Sequence, residues 1–120
     1  MDTLYKARII DHYKSPRNYG ELDDLDHKSL QKNLSCGDEI EVFLKVKDDL
    51  ISDIKFTGRG CAISIAAMSL LSEKLKGLSL SEARDISEND ILESVGIKHG
   101  SARSKCALLG FKAVSEALNS

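Results

Sequence analysis

The sequence is notable first for what it lacks. There is no basic excess: 17 Lys and Arg stand against 19 Asp and Glu, a net charge of -2. That excludes the clustered positive surface by which domains usually hold nucleic acid. There is no apolar run long enough to cross a bilayer. The start, Met1-Asp2-Thr3-Leu4-Tyr5, has neither the basic opening nor the apolar core of a secretory signal. Repeats, low-complexity tracts and a dividing linker are also missing, so residues 1–120 read as one domain. Cysteines are few: three, an odd number at long separations, which argues against a disulfide framework and for a reducing cytosol. A chain of 120 residues buries enough apolar surface to fold without such staples.

The hydrophobic pattern predicts an α+β fold. Leu4, Ile9, Ile10 and Tyr13 give a helical stripe over residues 3–14, which Ser15-Pro16 stops. Residues 16–35 are polar, with a short strand around Lys28–Leu34, and are expected to be mobile. Ile40, Val42, Leu44 and Val46 alternate with mostly polar neighbours, the period of a half-buried strand. Asp48-Asp49 turns the chain, and Leu50, Ile54 and Phe56 line one face of a second strand. A helix is expected from Cys61 to about Lys76, stopped by Gly77. Two short helices follow, from Ser79 to Ile86 and from Glu88 to Ser94. A last helix, capped by Ser101, runs to about Leu118 with Leu109, Ala113, Val114 and Ala117 inward. The layout is a small antiparallel sheet of two to three strands against several helices.

The hairpin brings chemistry together. Cys36-Gly37-Asp38 stands at its entrance and Gly58-Arg59-Gly60-Cys61 at its exit, so the two ends lie side by side. In an extended segment Cys36 and Asp38, two apart, point the same way. Cys61 opens a helix, where unpaired N–H groups and the dipole favour a thiolate. Cys106 sits near the start of the last helix beside Arg103 and Lys105. Any one cysteine alone reads as packing, since free cysteine is among the most buried residue types. Together, with glycines and basic neighbours, they read as ligands.

Three thiolates and one carboxylate make a tetrahedral set suited to Zn²⁺ or to one edge of an iron–sulfur cluster. Around Zn²⁺ they leave a local charge of about -2, which Arg59, Arg103 and Lys105 are placed to offset. Asp38 is the hardest and most exchangeable ligand, so such a site opens there first. Among the histidines, His12 reads as a surface residue or a polar contact and His27 as solvated in an acidic loop. His99, two residues before the expected helix, is a lesser ligand candidate.

These motifs carry a resemblance. Ile10-Asp11-His12-Tyr13 with Ser15-Pro16-Arg17-Asn18, Asn33-Leu34-Ser35-Cys36-Gly37-Asp38, Phe56-Thr57-Gly58-Arg59-Gly60-Cys61-Ala62-Ile63-Ser64 and Arg103-Ser104-Lys105-Cys106 follow one another in order. The chain resembles, over nearly its whole length, the iron–sulfur cluster assembly scaffolds: IscU, SufU and the N-terminal domain of NifU. The resemblance implies a SufE/NifU-like α+β fold with the cysteines gathered at one exposed end. It implies a cysteine desulfurase that delivers persulfide sulfur, and apo iron–sulfur proteins that receive the product. IscU-like members build a [2Fe–2S] cluster; SufU-like members hold zinc through three cysteines and an aspartate and act as sulfurtransferases. The site would then comprise Cys36, Asp38, Cys61 and Cys106, with Cys36 or Cys106 as persulfide acceptor and Arg103 pairing with Asp38 or holding the acceptor thiolate.

The sequence departs from the IscU pattern twice. Lys105 precedes the third cysteine where IscU-like chains have histidine, and a protonated amine is a poor ligand. Lys98-His99-Gly100-Ser101-Ala102 replaces the proline-rich chaperone-recognition stretch, which counts against docking of a dedicated Hsp70-type chaperone. SufU-like chains usually carry an insertion between the second and third cysteines, and the 45 positions from Cys61 to Cys106 leave little room for one. The chain is SufU-like at its ligands and IscU-like in length. Two other classes are weighed against these: a zinc-stabilised interaction domain without chemistry, and a cysteine hydrolase, for which no histidine sits in a suitable motif.

Overall fold

A computed structural model describes residues 3–119. The chain runs α1 (Thr3–Lys14), β1 (His27–Asn33), β2 (Asp38–Lys47), β3 (Leu50–Arg59), α2 (Ala62–Leu75), α3 (Leu80–Arg84), α4 (Glu88–Ser94) and α5 (Ser104–Leu118). This is the expected α+β arrangement. The three strands form an antiparallel sheet in the order β1-β2-β3. One face carries Ile40, Val42, Leu44, Ile51, Ile54 and Phe56, all fully buried. α5 packs across β1 and β2, α2 lies against β3, and α1 lies on α2. No helix among the described residues is long and apolar enough to cross a membrane.

The hairpin between β2 and β3 closes through Asp48 and Asp49, both left-handed at φ 54° and 62°, a two-residue turn whose twist suits the strands it joins. The register slips between Lys45 and Val46: Lys45 pairs with Asp53 but Val46 with Ile51, leaving Ser52 unmatched. This bulge corrects the expected strand face. One extra residue reverses the alternation, so Ile51 enters the core and Leu50 stays 44% exposed. On the other face Phe43 is also buried, opposite Lys28 and Lys55 in the register.

The polar stretch after α1 is pinned rather than loose. Asn18 and Gly20 exchange main-chain hydrogen bonds with Phe56 at 3.0 and 2.8 Å. The Tyr19 hydroxyl donates to the Gly58 carbonyl at 2.9 Å, and Asp26 N–H reaches the Leu44 carbonyl at 2.8 Å. Polar composition concealed an edge of β3 that needed partners. His27 likewise opens β1, half-buried, instead of sitting in a solvated loop.

α2 is buried on nearly every side, including Ser64, Ser69 and Ser72. Two of these serines seat the N-terminal segment. Ser69 Oγ accepts from Arg17 N–H at 2.8 Å, and Ser72 Oγ accepts from the Asn18 amide at 3.0 Å. His12 is buried, not at the surface, with Nδ1 2.7 Å from Ser69 Oγ. α3 and α4 begin with reciprocal capping boxes, Ser79 with Glu82 and Ser87 with Asp90. α5 begins at Ser104, later than expected. Ser101 closes a turn of its own: its carbonyl accepts from Ser104 N–H, and its hydroxyl oxygen accepts from Arg103 N–H at 3.3 Å.

Candidate metal centre

Three elements converge at one end of the sheet. Cys36 lies in the turn from β1 to β2, where Gly37 takes a left-handed φ of 77° and donates its N–H to Asn33. Asp38 is the first residue of β2. Side chains alternate along a strand, and here the two acidic neighbours part company. Glu39 turns to the outer face and pairs with Arg59 at 3.0 Å, while Asp38 turns inward and is 5% exposed. The pairing of Glu39 with Arg59 sets Asp38 alongside Gly60. Gly60 must lack a side chain: a Cβ there would fall 2.6 Å from Asp38 Cγ.

Cys61 is the N-cap of α2, and its backbone N–H donates to the Asp38 carboxylate. Ser64, in the first turn of the same helix, donates its hydroxyl to Asp38 Oδ2 at 2.6 Å. Burial alone raises the carboxyl's affinity for a proton. The bonds from Ser64, from the Cys61 N–H and from the Cys36 and Cys61 thiols outweigh it, so Asp38 stays below the usual carboxylate range. Cys106, in the first turn of α5, arrives from the opposite side.

Ligand atoms of Cys36, Asp38 and Cys106 all lie within 4.8 Å of one another. In a tetrahedral zinc site the metal–sulfur bond of about 2.3 Å separates sulfurs by about 3.8 Å, so a small contraction fits this set to a metal. The chemistry of the set fits equally: two soft sulfurs and one hard oxygen. Cys61 stands beside the trio, linked to the Asp38 carboxylate and to the Cys106 thiol. The Cys106 thiol is pushed up to about 12, first by burial and then by the neighbouring Cys61, Cys36 and Asp38. Crowded anionic donors hold a proton here until a cation takes its place.

The family model described as the NifU-like N terminal domain matches residues 4–120. The chain belongs to that family. This NifU-like chain is 35% identical to the "Zinc-dependent sulfurtransferase SufU" of Bacillus subtilis (strain 168), over 97% of its own length and 90% of that protein's. It is 37% identical to the "Iron-sulfur cluster assembly scaffold protein IscU" of Thermotoga maritima, over 96% and 92%. The crystal structure of FiSufU, from the SUF system of thermophilic Fervidobacterium islandicum AW-1, superposes with a TM-score of 0.80 at 31% identity, covering 92% of this chain and 93% of that one. The first two alignments span 133 and 131 positions, more than the 120 residues here, so both relatives carry segments with no counterpart in this chain. Chain length therefore does not separate the SufU-like from the IscU-like reading.

The basic residues of this NifU-like chain depart from expectation. Arg59 is bound to Glu39 and turned away from the sulfurs, because its strand position faces outward. Arg103 and Lys105 are exposed at the rim, and neither makes an ion pair among the described residues. Asp38 is held by Ser64 and not by Arg103. His99 is exposed and lies outside the ligand trio. Ser64 closes the second cysteine motif, but the sequence assigned it no role. A further signal was its hydroxyl in the apolar first turn of the helix, three residues after a candidate ligand.

Proposed function

We propose that this chain is an iron–sulfur cluster assembly scaffold. It accepts sulfur from a cysteine desulfurase, binds iron or zinc through Cys36, Asp38, Cys61 and Cys106, and passes cluster to apo-proteins. The single observation that carries this is the approach of Cys36, Asp38 and Cys106 ligand atoms to within 4.8 Å of one another, with Cys61 adjoining. Its compartment is a reducing one, which suits three free cysteines. Lys105 and the stretch from Lys98 to Ala102 leave no argument for a dedicated Hsp70-type chaperone.

Cys36 is the acceptor we favour. It is exposed in a turn, whereas Cys61 and Cys106 are half-buried and the Cys106 thiol holds its proton. The Cys36 thiolate attacks the terminal sulfur of the donor's persulfide. A new S–S bond forms on Cys36, the donor's S–S bond breaks, and the donor cysteine leaves as a thiolate, with no outside oxidant. Zinc, when bound, keeps its thiol ligands deprotonated. Asp38 is the ligand that gives way, and Arg103 at the rim is free to meet the incoming anion.

A second reading is pure sulfur relay without cluster. Lys105 in place of a histidine ligand and the likeness to the Bacillus SufU favour it. Anaerobic reconstitution separates the two. A chain-bound cluster that moves to an apo-acceptor supports the scaffold, whereas a lasting zinc site with stimulated sulfide release supports the relay. Freshly purified protein with neither metal, and with no effect on a desulfurase, removes both.

A further inference from the structure

Ser64 is fully buried in the first turn of α2, and its hydroxyl has one proton to give. That proton goes to Asp38 Oδ2 across 2.6 Å, a short bond of the kind made to an ionised acceptor. The Cys61 sulfur lies 3.4 Å from the Ser64 hydroxyl oxygen, which has no second proton to give it. On the other flank, Gly60 leaves just enough space for the carboxylate: a Cβ there would meet Asp38 Oδ1 at 2.9 Å. Asp38 is thus gripped from both sides, by a helix and by the end of a strand. Strand alternation explains why Asp38 faces inward, but not why its carboxylate holds one rotation about Cβ–Cγ. Ser64 supplies that constraint together with the Cys61 N–H.

We propose that Ser64 is a positioning residue: by occupying Asp38 Oδ2 it fixes the carboxylate in the pose in which it completes the metal set with Cys36 and Cys106. The proposal rests on the metal-binding reading given above. It assigns Ser64 no bond to the metal; with its one proton committed to Asp38 it has none to offer the Cys61 thiolate, so the effect passes through Asp38. Outer hydrogen bonds of this kind orient ligating carboxylates, and their loss commonly costs 10- to 100-fold in metal affinity.

The test is a double-mutant cycle read by zinc affinity and not by activity. Wild type, Ser64→Ala, Asp38→Ala and the double variant, all prepared without oxygen, are titrated with zinc against a chelating indicator. Ser64→Ala is expected to weaken zinc by about tenfold or more. In the Asp38→Ala background the same change is expected to alter affinity by less than about twofold, since its route is gone. Equal losses in both backgrounds mean a packing role and overturn the proposal. Cobalt-loaded Ser64→Ala adds a spectroscopic check: thiolate-to-cobalt bands keep their intensity while the ligand-field bands move, and an unmoved spectrum counts against the proposal. Should Ser64→Ala not fold, Ser64→Thr keeps the hydroxyl. Wild-type affinity in that variant supports the proposal, and a tenfold loss in it overturns the proposal. A wild type that takes up neither zinc nor cobalt removes the metal reading itself. A wild type that binds while folded Ser64→Ala binds equally well removes only the role of Ser64.

Discussion

Asp38 and Gly60 lie so close that a methyl group on Gly60 would stand 2.6 Å from Asp38 Cγ and 2.9 Å from its Cβ. Gly60→Ala must therefore push the carboxylate out of its place between the strand end and Ser64. Overpacking of this kind costs about 1–3 kcal/mol, and zinc affinity is expected to fall by about tenfold as the Asp38 pose is lost. Gly37 offers the contrast. It faces open space and is needed only for its φ of 77°. Gly37→Asn, a residue that tolerates the left-handed region, is expected to cost at most about 1 kcal/mol and to keep zinc. Urea unfolding and chelator competition on the two variants check the pair; equal zinc loss in both contradicts the account.

Metal removal separates a scaffold from a zinc-stabilised module. The core of sheet, α2 and α5 is built from apolar side chains and needs no metal to close. Chelation is expected to leave the far-UV circular dichroism intact and to lower stability only by the mass-action share of the bound ion, about 4 kcal/mol at a thousandfold excess over Kd. Cooperative loss of helix on chelation would place the chain among domains that zinc folds.

The pattern of Ile40, Val42 and Leu44 read directly as a strand because one face is buried and the period is two. The first short helix was legible from Ser79 for the same local reason, since a cap acts within one turn, while Ser87, which caps the second, was passed over. Hairpin geometry put Cys36 and Asp38 near Cys61, but it carried no sign of Cys106, which comes in from α5. What stayed hidden depended on distant partners. The bulge that exchanges Leu50 for Ile51 has no mark in composition. The grip of Ser69 and Ser72 on Arg17 and Asn18 joins residues more than 50 positions apart. Arg59 looked like a counter-ion by proximity in sequence, but its place in the pleat gave it to Glu39.

Ser69 is the hinge pin of that N-terminal docking. Ser69→Ala leaves Arg17 N–H and His12 Nδ1 without their hydrogen-bond partner. The expected cost is about 1–3 kcal/mol. Because the pin lies away from the sulfurs, zinc affinity is expected to change by less than about threefold. Urea midpoints with parallel zinc titrations check this; a variant as stable as wild type contradicts the seating described here.

The same contact makes stability depend on pH. Ser69 Oγ already accepts from Arg17 N–H, so its own proton suits His12 Nδ1, and the ring then carries its proton on Nε2, 3.7 Å from Glu73. That is the neutral form. Burial lowers the imidazole's proton affinity first, and the charge of Arg17 and, less, of Arg8 lowers it further, against the opposing pull of Glu73 and Asp11. The folded value thus lies below the ordinary 6.5. Between the two values the unfolded chain binds a proton that the folded chain does not, so acid favours unfolding. The contribution of neutral His12 is whole above pH 6.5 and drains away as pH falls through the folded value. Urea midpoints of wild type are expected to drop between about pH 7 and about pH 5, while His12→Gln, less stable at the upper pH, loses less over that interval. Parallel slopes for the two proteins would assign the acid sensitivity to other groups.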